Sequence, residues 1–355
     1  MKQRVVRFGG VTALILALLI RTLFLFSAEA FDLFYFNSVF PLIRKLQYSF
    51  GSLLPLSGYY VIIFVVVAWI IWRFPKRKES GAWRTFFRRL INFLCGWAAC
   101  FLFLWGFNYA GPSLADRMKL AEIEQEYDVA KLYLSAMEEA AGYRNQISLP
   151  NDSASVDNLE LAIDYEMIDE TVKEVLSEYD YPTSDPVKVR KVQPFGALRR
   201  LGIRGIYNPF TGEANVESDA GLVTSLFTAA HEMAHAYGVT SEGEANLTAY
   251  IALTSSEDLH WKYSAAYHLW RYTAREVNQK LPEEDLKILA AAIPKGLQID
   301  RNAIWTRGSK QPAYFPELSN AMNDTYLKVQ GVKAGTDDYG AFVKLYLEYY
   351  QPSLD

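Results

Sequence analysis

Three apolar runs in the first 110 residues constrain this chain more than any other feature. The first covers about 9–27 and is unbroken through Leu14-Ile15-Leu16-Ala17-Leu18-Leu19-Ile20. The second covers about 56–72, through Val61-Ile62-Ile63-Phe64-Val65-Val66-Val67, and the third about 90–109. A helix needs roughly 20 apolar residues to cross the hydrocarbon core of a bilayer, and each run approaches that length. Three transmembrane helices are therefore expected. The first run does not read as a cleaved signal peptide, because another apolar run follows it and no small-x-small site introduces a soluble chain. Arg21 interrupts it and is expected to snorkel or to face a neighbouring helix.

Charge divides the chain at the same place. Residues 1–110 carry 13 Lys+Arg and 3 Asp+Glu, whereas residues 111–355 carry 23 and 37. The net charge of −4 hides a basic, apolar front and an acidic back, which read as two domains, 1–110 and 111–355. Lys2, Arg4 and Arg7 precede the first run. Arg73, Lys76, Arg77, Lys78, Arg84, Arg88 and Arg89 lie between the second and third. The positive-inside rule puts both segments in the cytoplasm, so the amino terminus is expected inside and 111–355 outside. The stretch 28–55, with many aromatics, Arg44, Lys45, Pro41 and Pro55, is either an interfacial or re-entrant segment or an ordinary loop. The acidic back argues against nucleic acid and against tight docking on anionic headgroups. Cys95 and Cys100 both fall in the third run, so the outer domain holds no thiol for a disulfide, a metal or a nucleophile. At about 245 residues it is large enough to fold on its own core.

The chemistry concentrates in His231-Glu232-Met233-Ala234-His235, which uses two of the four histidines in the chain. Imidazoles four residues apart share one helix face and can reach one metal ion, with Glu232 placed to act as general base on a metal-bound water. Leu226, Ala230, Met233 and Tyr237 recur at helical spacing and predict one buried side. Gly238 predicts a left-handed stop just after the second histidine. Ser241 and Glu244 then read as a capping box opening a second helix. Glu242, at its first position, is the expected third ligand. Glu244 is the alternative, although capping gives it another role. Asn246, four residues past Glu242, is placed to hold a ligand histidine.

Elsewhere, helices are predicted over about 114–141, as a stalk or a surface helix, and over 159–179, 261–280, 283–293, 315–329 and 339–350. Pro182, Pro186 and Pro194 mark an irregular connection. Strands at 203–207 and 213–217 flank Pro209-Phe210-Thr211-Gly212 as a small β-hairpin. His268, Tyr263 and Tyr267 are candidates for stabilising an oxyanion, with core packing the competing role, and His260 is a further histidine. Asp337-Asp338 and Glu283-Glu284-Asp285 read as solvated helix starts.

The order helix, His-Glu-x-x-His, glycine turn, Glu242-Gly243-Glu244-Ala245-Asn246 resembles the zincin metallopeptidases. It is most similar to the gluzincin pattern, with Asn246 where an aspartate is usual and only seven residues from His235 to Glu242. The three apolar runs, Phe107-Asn108-Tyr109, the segment 205–216 and the histidine helix together resemble a bacterial inner-membrane family of unknown function that is regarded as zincin-like. The resemblance implies a mainly α protein: three transmembrane helices, then a zincin-like, mostly helical extracytoplasmic domain with a small β-sheet. It implies Zn2+ on His231, His235 and Glu242, with Glu232 catalytic. Ala214-Asn215-Val216 would be an edge strand that pairs with extended substrate, unless the hairpin is an ordinary one. The expected partners are the lipid bilayer and a protein or peptide substrate. Two other classes stand beside this peptidase reading. One is an inactive zincin-like protein that binds zinc or peptide as a sensor or scaffold. The other is a structural membrane protein that binds a partner through its acidic surface.

Overall fold

The computed structural model describes residues 8–75, 81–123, 127–194, 196–317, 321, 324–325, 328 and 341–350. Lys2, Arg4, Arg7, Lys76, Arg77, Lys78, Asp337 and Asp338 lie outside the described residues, as does much of 315–329 and the start of 339–350. The chain separates into two compact units. One comprises residues 1–112 with 208–213, the other 113–207 with 214–355.

The first unit is helical throughout. Helix α1 (Gly9–Phe26) packs along α5 (Ala82–Leu104), and between them lie α2 (Ala28–Phe31), α3 (Val39–Leu53) and α4 (Gly58–Arg73). A π-helical turn, Asp32–Phe36, joins α2 to α3. Gly10 lets α1 and α5 touch: a Cβ there would lie 1.9 Å from the Asn92 carbonyl oxygen, and the Asn92 side chain accepts from the Gly10 N–H at 2.9 Å. Phe24, Phe31, Tyr35 and Phe107 pack edge-on and tilted into a buried aromatic cluster. Many other apolar side chains of the unit point outward. Leu16 is 55% exposed, Phe64 72% and Trp72 71%. Apolar surface this continuous is stable against lipid and not against water.

Among the described residues, two helices, α1 and α5, are long and apolar enough to cross a membrane. There is a third if the 28–53 segment and α4, bent by 89°, form one span. The segment 28–53 is thus helical rather than an ordinary loop. The helix α4 alone has 16 residues, so its capacity to span depends on that bent partner. The helix α5 starts at Ala82, earlier than the expected 90, and takes Arg84, Arg88 and Arg89 onto its first turns. The turn Asn208–Glu213 packs within this unit. Gln47 donates to the Pro209 carbonyl at 2.6 Å, Glu213 accepts from the Gly58 N–H at 2.7 Å, and Phe210 meets Trp97 with ring centroids 4.3 Å apart.

The second unit is a helical body with one small sheet. Its helices are α6 (Leu114–Met118), α7 (Val129–Gln146), α8 (Tyr165–Ser177), α9 (Leu222–Ala236), α10 (Glu242–Ser255), α11 (Leu259–Lys280), α12 (Glu283–Ala291), α13 (Lys295–Ser309) and α14 (Ala341–Tyr350). Strands β1 (Lys188–Val192), β2 (Gly205–Asn208) and β3 (Glu213–Glu217) form a sheet ordered β1-β3-β2.

Several expectations are corrected here. The stretch 114–141 is not one helix. Ser113 and Asp116 form a capping box for α6, Lys119 ends it in the left-handed conformation, and Asp128 caps a separate α7. The strand β3 lies in the middle of the sheet, so Ala214-Asn215-Val216 has a neighbour on each side and is not an edge. The edges are β1 and β2. The strand β1 arises inside the proline-rich connection, and its sequence KVRKV alternates weakly enough to escape a periodicity argument. The helix α13 was also unforeseen, since its apolar side chains do not form a clear stripe.

The helix α9 departs from expectation in a way that bears on function. It buries every residue except His231, not one face. The helices α8, α10 and α11 all pack against it. Small residues make this possible: Ala229, Ala230, Ala234 and Ala236 on α9 and Ala245, Ala249 and Ala252 on α10 are fully buried. A helix packed on every side is held rigidly, which is what a site built from its side chains needs.

Candidate metal centre

The C-terminus of α9 shapes the centre. After Tyr237, Gly238 adopts φ 106°. The Gly238 N–H donates to the His235 carbonyl at 3.0 Å, and the Val239 N–H to the Ala234 carbonyl at 3.1 Å. This is a Schellman stop. It turns the Val239 carbonyl back onto the helix, where it accepts from His235 Nδ1 at 2.8 Å. The same turn leads to Ser241, whose hydroxyl accepts from the Glu244 N–H and opens α10. Glu242 then faces the two histidines.

Three donor groups come together: His231, His235 and Glu242, with their ligand atoms all within 4.8 Å of one another. The two Nε2 atoms are 3.1 Å apart, and Glu242 Oε2 lies 3.2 Å from that of His231 and 3.7 Å from that of His235. Glu244 is elsewhere. Its carboxylate accepts from the Ala115 N–H at 2.8 Å.

These residues fit a zinc ion. A carbonyl oxygen only accepts, so His235 carries a proton on Nδ1 and turns Nε2 toward the cluster. His231 Nδ1 lies 2.9 Å from Asn246 Oδ1, which orients that ring in the same sense. Two imidazole nitrogens and a carboxylate oxygen crowded this closely repel one another unless a proton or a metal cation lies among them. For metal–ligand bonds of about 2.0–2.1 Å, tetrahedral ligands lie about 3.3–3.4 Å apart, close to the spacing here. The same charges act on protons. Burial opposes ionisation of His235 and of Glu242. Even so, Glu242 raises His235 to about 9, and the two histidines hold the Glu242 carboxyl well below its usual range.

Glu232 lies beside the triad and is buried. Burial pushes its carboxyl up, opposed by the two histidines and by a hydrogen bond from the Tyr207 backbone on β2. Gly205, at the start of that strand, permits the approach. A Cβ there would lie 2.4 Å from Thr228 Cγ2 and 2.6 Å from Glu232 Oε1. Sequence reasoning missed Gly205 and Tyr207 as neighbours of the base, and no local signal marks them.

The other candidates divide. Tyr263 donates to Asp300, within a buried network that also holds Arg144, and so belongs to the core. His260 bonds Asp258 at the exposed start of α11. Glu283, Glu284 and Asp285 open α12. Tyr267 packs on Trp270. His268 is buried, stacks on Phe227 at 4.1 Å and bonds the Ser264 carbonyl at 2.8 Å; burial, with Arg204 and Arg271 adding to it, lowers its pKa to about 3. Tyr272 was not foreseen. It accepts from Asn246 Nδ2 at 3.1 Å and so anchors the residue that orients His231.

Fold and site together define a class: a mainly helical protein with two or three apolar helices of membrane-spanning length and a His-His-Glu cluster in its second unit. Residues 35–347 match the family described as Protein of unknown function (DUF3810), and the chain belongs to that family. No curated protein and no solved structure matches it.

Proposed function

We propose that this chain is a membrane-anchored, zinc-dependent metallopeptidase of the zincin type, acting on an extracytoplasmic protein or peptide. One observation carries the reading: His231, His235 and Glu242 converge at 3.1–3.7 Å, with Glu232 beside them. Three protein ligands, rather than four, suit a catalytic zinc site with an open position. Asn246 and the Val239 carbonyl keep both imidazoles in the tautomer that offers Nε2.

Bound zinc would polarise the scissile carbonyl and make water a nucleophile near neutral pH. Glu232 takes a proton from that water as its oxygen bonds to the carbonyl carbon. Glu232 then gives the proton to the departing amine nitrogen as the carbon–nitrogen bond breaks, and returns to its starting state. The sum is water added across one peptide bond. The charge pattern along the first 110 residues supports a cytoplasmic amino terminus and an outer second unit in a bacterial inner membrane.

The test is zinc per full-length chain in detergent, with peptide hydrolysis measured in parallel. Wild type should hold about one zinc, Glu242→Ala much less. Glu232→Gln should keep its zinc and lose turnover. A wild-type chain that is folded but free of zinc sinks the reading. A Glu232→Gln chain that cleaves at the wild-type rate sinks the assignment of the base. Zinc without turnover on any peptide would favour the sensor or scaffold.

A further inference from the structure

An open cleft of about 1070 Å³ in the second unit is lined by Arg204, Arg271, Arg275 and Arg301, with Tyr272 and the exposed Trp305. Among the described residues no aspartate or glutamate lines it, although residues 111–355 carry 37 acidic side chains against 23 basic ones. Three other arginines of this unit are paired with carboxylates. Arg144 holds Asp300 at 2.7 Å, Arg199 holds Asp219 at 3.4 Å, and Arg307 holds Asp157 at 3.3 Å. Among the described residues, none of the four cleft guanidinium groups has a carboxylate or carbonyl partner. An acidic domain that leaves four arginines unpaired around one hollow presents a positive field there, and the hollow attracts anions.

A hydrogen-bond chain links the cleft wall to the metal centre. Tyr272 lines it and accepts from Asn246, which in turn holds His231. Arg271 and Arg275 are four residues apart on α11, on either side of Tyr272, so they share that helix's cleft-facing side. Guanidinium groups bind carboxylates in bidentate pairs, and an exposed indole next to them offers a face for peptide groups or aliphatic side chains.

We propose that the substrate is an acidic peptide, whose Asp or Glu side chains occupy the arginine cleft while a neighbouring peptide bond lies at the metal centre. This rests on the peptidase reading for the second half of the statement only. The arginines need no metal to bind carboxylates.

The experiment uses the full-length chain carrying Glu232→Gln, in nanodiscs of zwitterionic lipid. Two fluorescein-labelled peptides are compared, identical except that one bears several glutamates where the other bears glutamines. Fluorescence anisotropy should show roughly tenfold tighter binding of the glutamate peptide, a preference that shrinks as salt rises. The Arg271→Gln/Arg275→Gln variant should lose the preference while still binding the glutamine peptide as before. Chelator-treated protein should retain it. Equal affinity for the two peptides, or a preference indifferent to salt, overturns the proposal, and neither result depends on the variant folding. Inorganic phosphate that displaces the glutamate peptide at the peptide's own concentration overturns it in favour of a free-anion site. Turnover by the chain with Glu232 intact separates the two readings. Cleavage of both peptides at one rate removes the acidic class and keeps the peptidase. Binding with the expected preference and no cleavage keeps the cleft and removes the peptidase.

Discussion

In the first unit, many leucines and phenylalanines face outward. In the second, histidines and carboxylates face inward: Glu232, His235, Glu244 and Asn246 are all buried. Each is a reversal of what water imposes on a globular chain, and each says what surrounds it. Outward apolar groups, at Leu16 and Phe64 for example, call for lipid. Inward polar groups need partners. Most have them: Asn246 bonds His231 and Tyr272, and Glu244 bonds the Ala115 N–H. His231, His235 and Glu242 are held against one another at 3.1–3.7 Å, a donor set that a shared cation would suit.

The contrast can be broken in order of expected effect. Glu232→Gln should cut peptide hydrolysis by about 10²- to 10⁴-fold, the range for loss of a general base, with zinc retained. Next, Leu16→Lys on the outward face of α1 should cost about 3 kcal/mol of insertion, read as protein lost from the membrane fraction. The matched change in the second unit, Leu161→Lys, should stay within about 0.5 kcal/mol by thermal unfolding, because Leu161 is 48% exposed there. Equal effects at the two leucines would remove the argument for lipid. Gly205→Ala should cost about 1–3 kcal/mol, since its Cβ would collide with Thr228 and Glu232 across the β2–α9 contact. Asn246→Ala should weaken zinc binding by about 10- to 100-fold, measured by competition with a chelator.

The smallest effect concerns pH. The ordinary His pKa of about 6.5 falls to about 3 at His268 because burial, helped by Arg204 and Arg271, disfavours the charged ring. The unfolded chain takes up this proton below about 6.5 and the folded chain does not. Stability is therefore complete above that pH and declines as pH falls toward 3, by about 1.4 kcal/mol per unit. Between pH 6.5 and 5.5, His268→Gln should flatten that slope in thermal unfolding. An unchanged slope would mean that His268 is not held neutral by its surroundings.

How much of this could be read in the chain depends on the range of the forces involved. The apolar runs were legible because length and hydropathy are local, although α4, with 16 residues, shows that its span depends on the bend with 28–53. The approach of His231 to His235 follows from a helical turn. The Gly238 stop and the Ser241 cap were visible in sequence, and the structure has both. The strand β1 and helix α13 were not, because neither shows a clean period. The central position of β3 was also hidden, since hairpin logic sees two strands and not the third that comes from upstream.

What the sequence alone determined is therefore what one or two turns of chain can encode: an apolar front, a charge split, and two imidazoles on one helix face. The tertiary structure decided the rest. It set Glu242 rather than Glu244 against those imidazoles, laid Gly205 and Tyr207 over Glu232, and gathered arginines from the lead-in to β2, from α11 and from α13 around one cleft. The contacts on Glu232 and the arginines of the cleft join residues tens of positions apart. Their geometry depends on how α8, α10 and α11 enclose α9, a packing outcome that no local pattern contains.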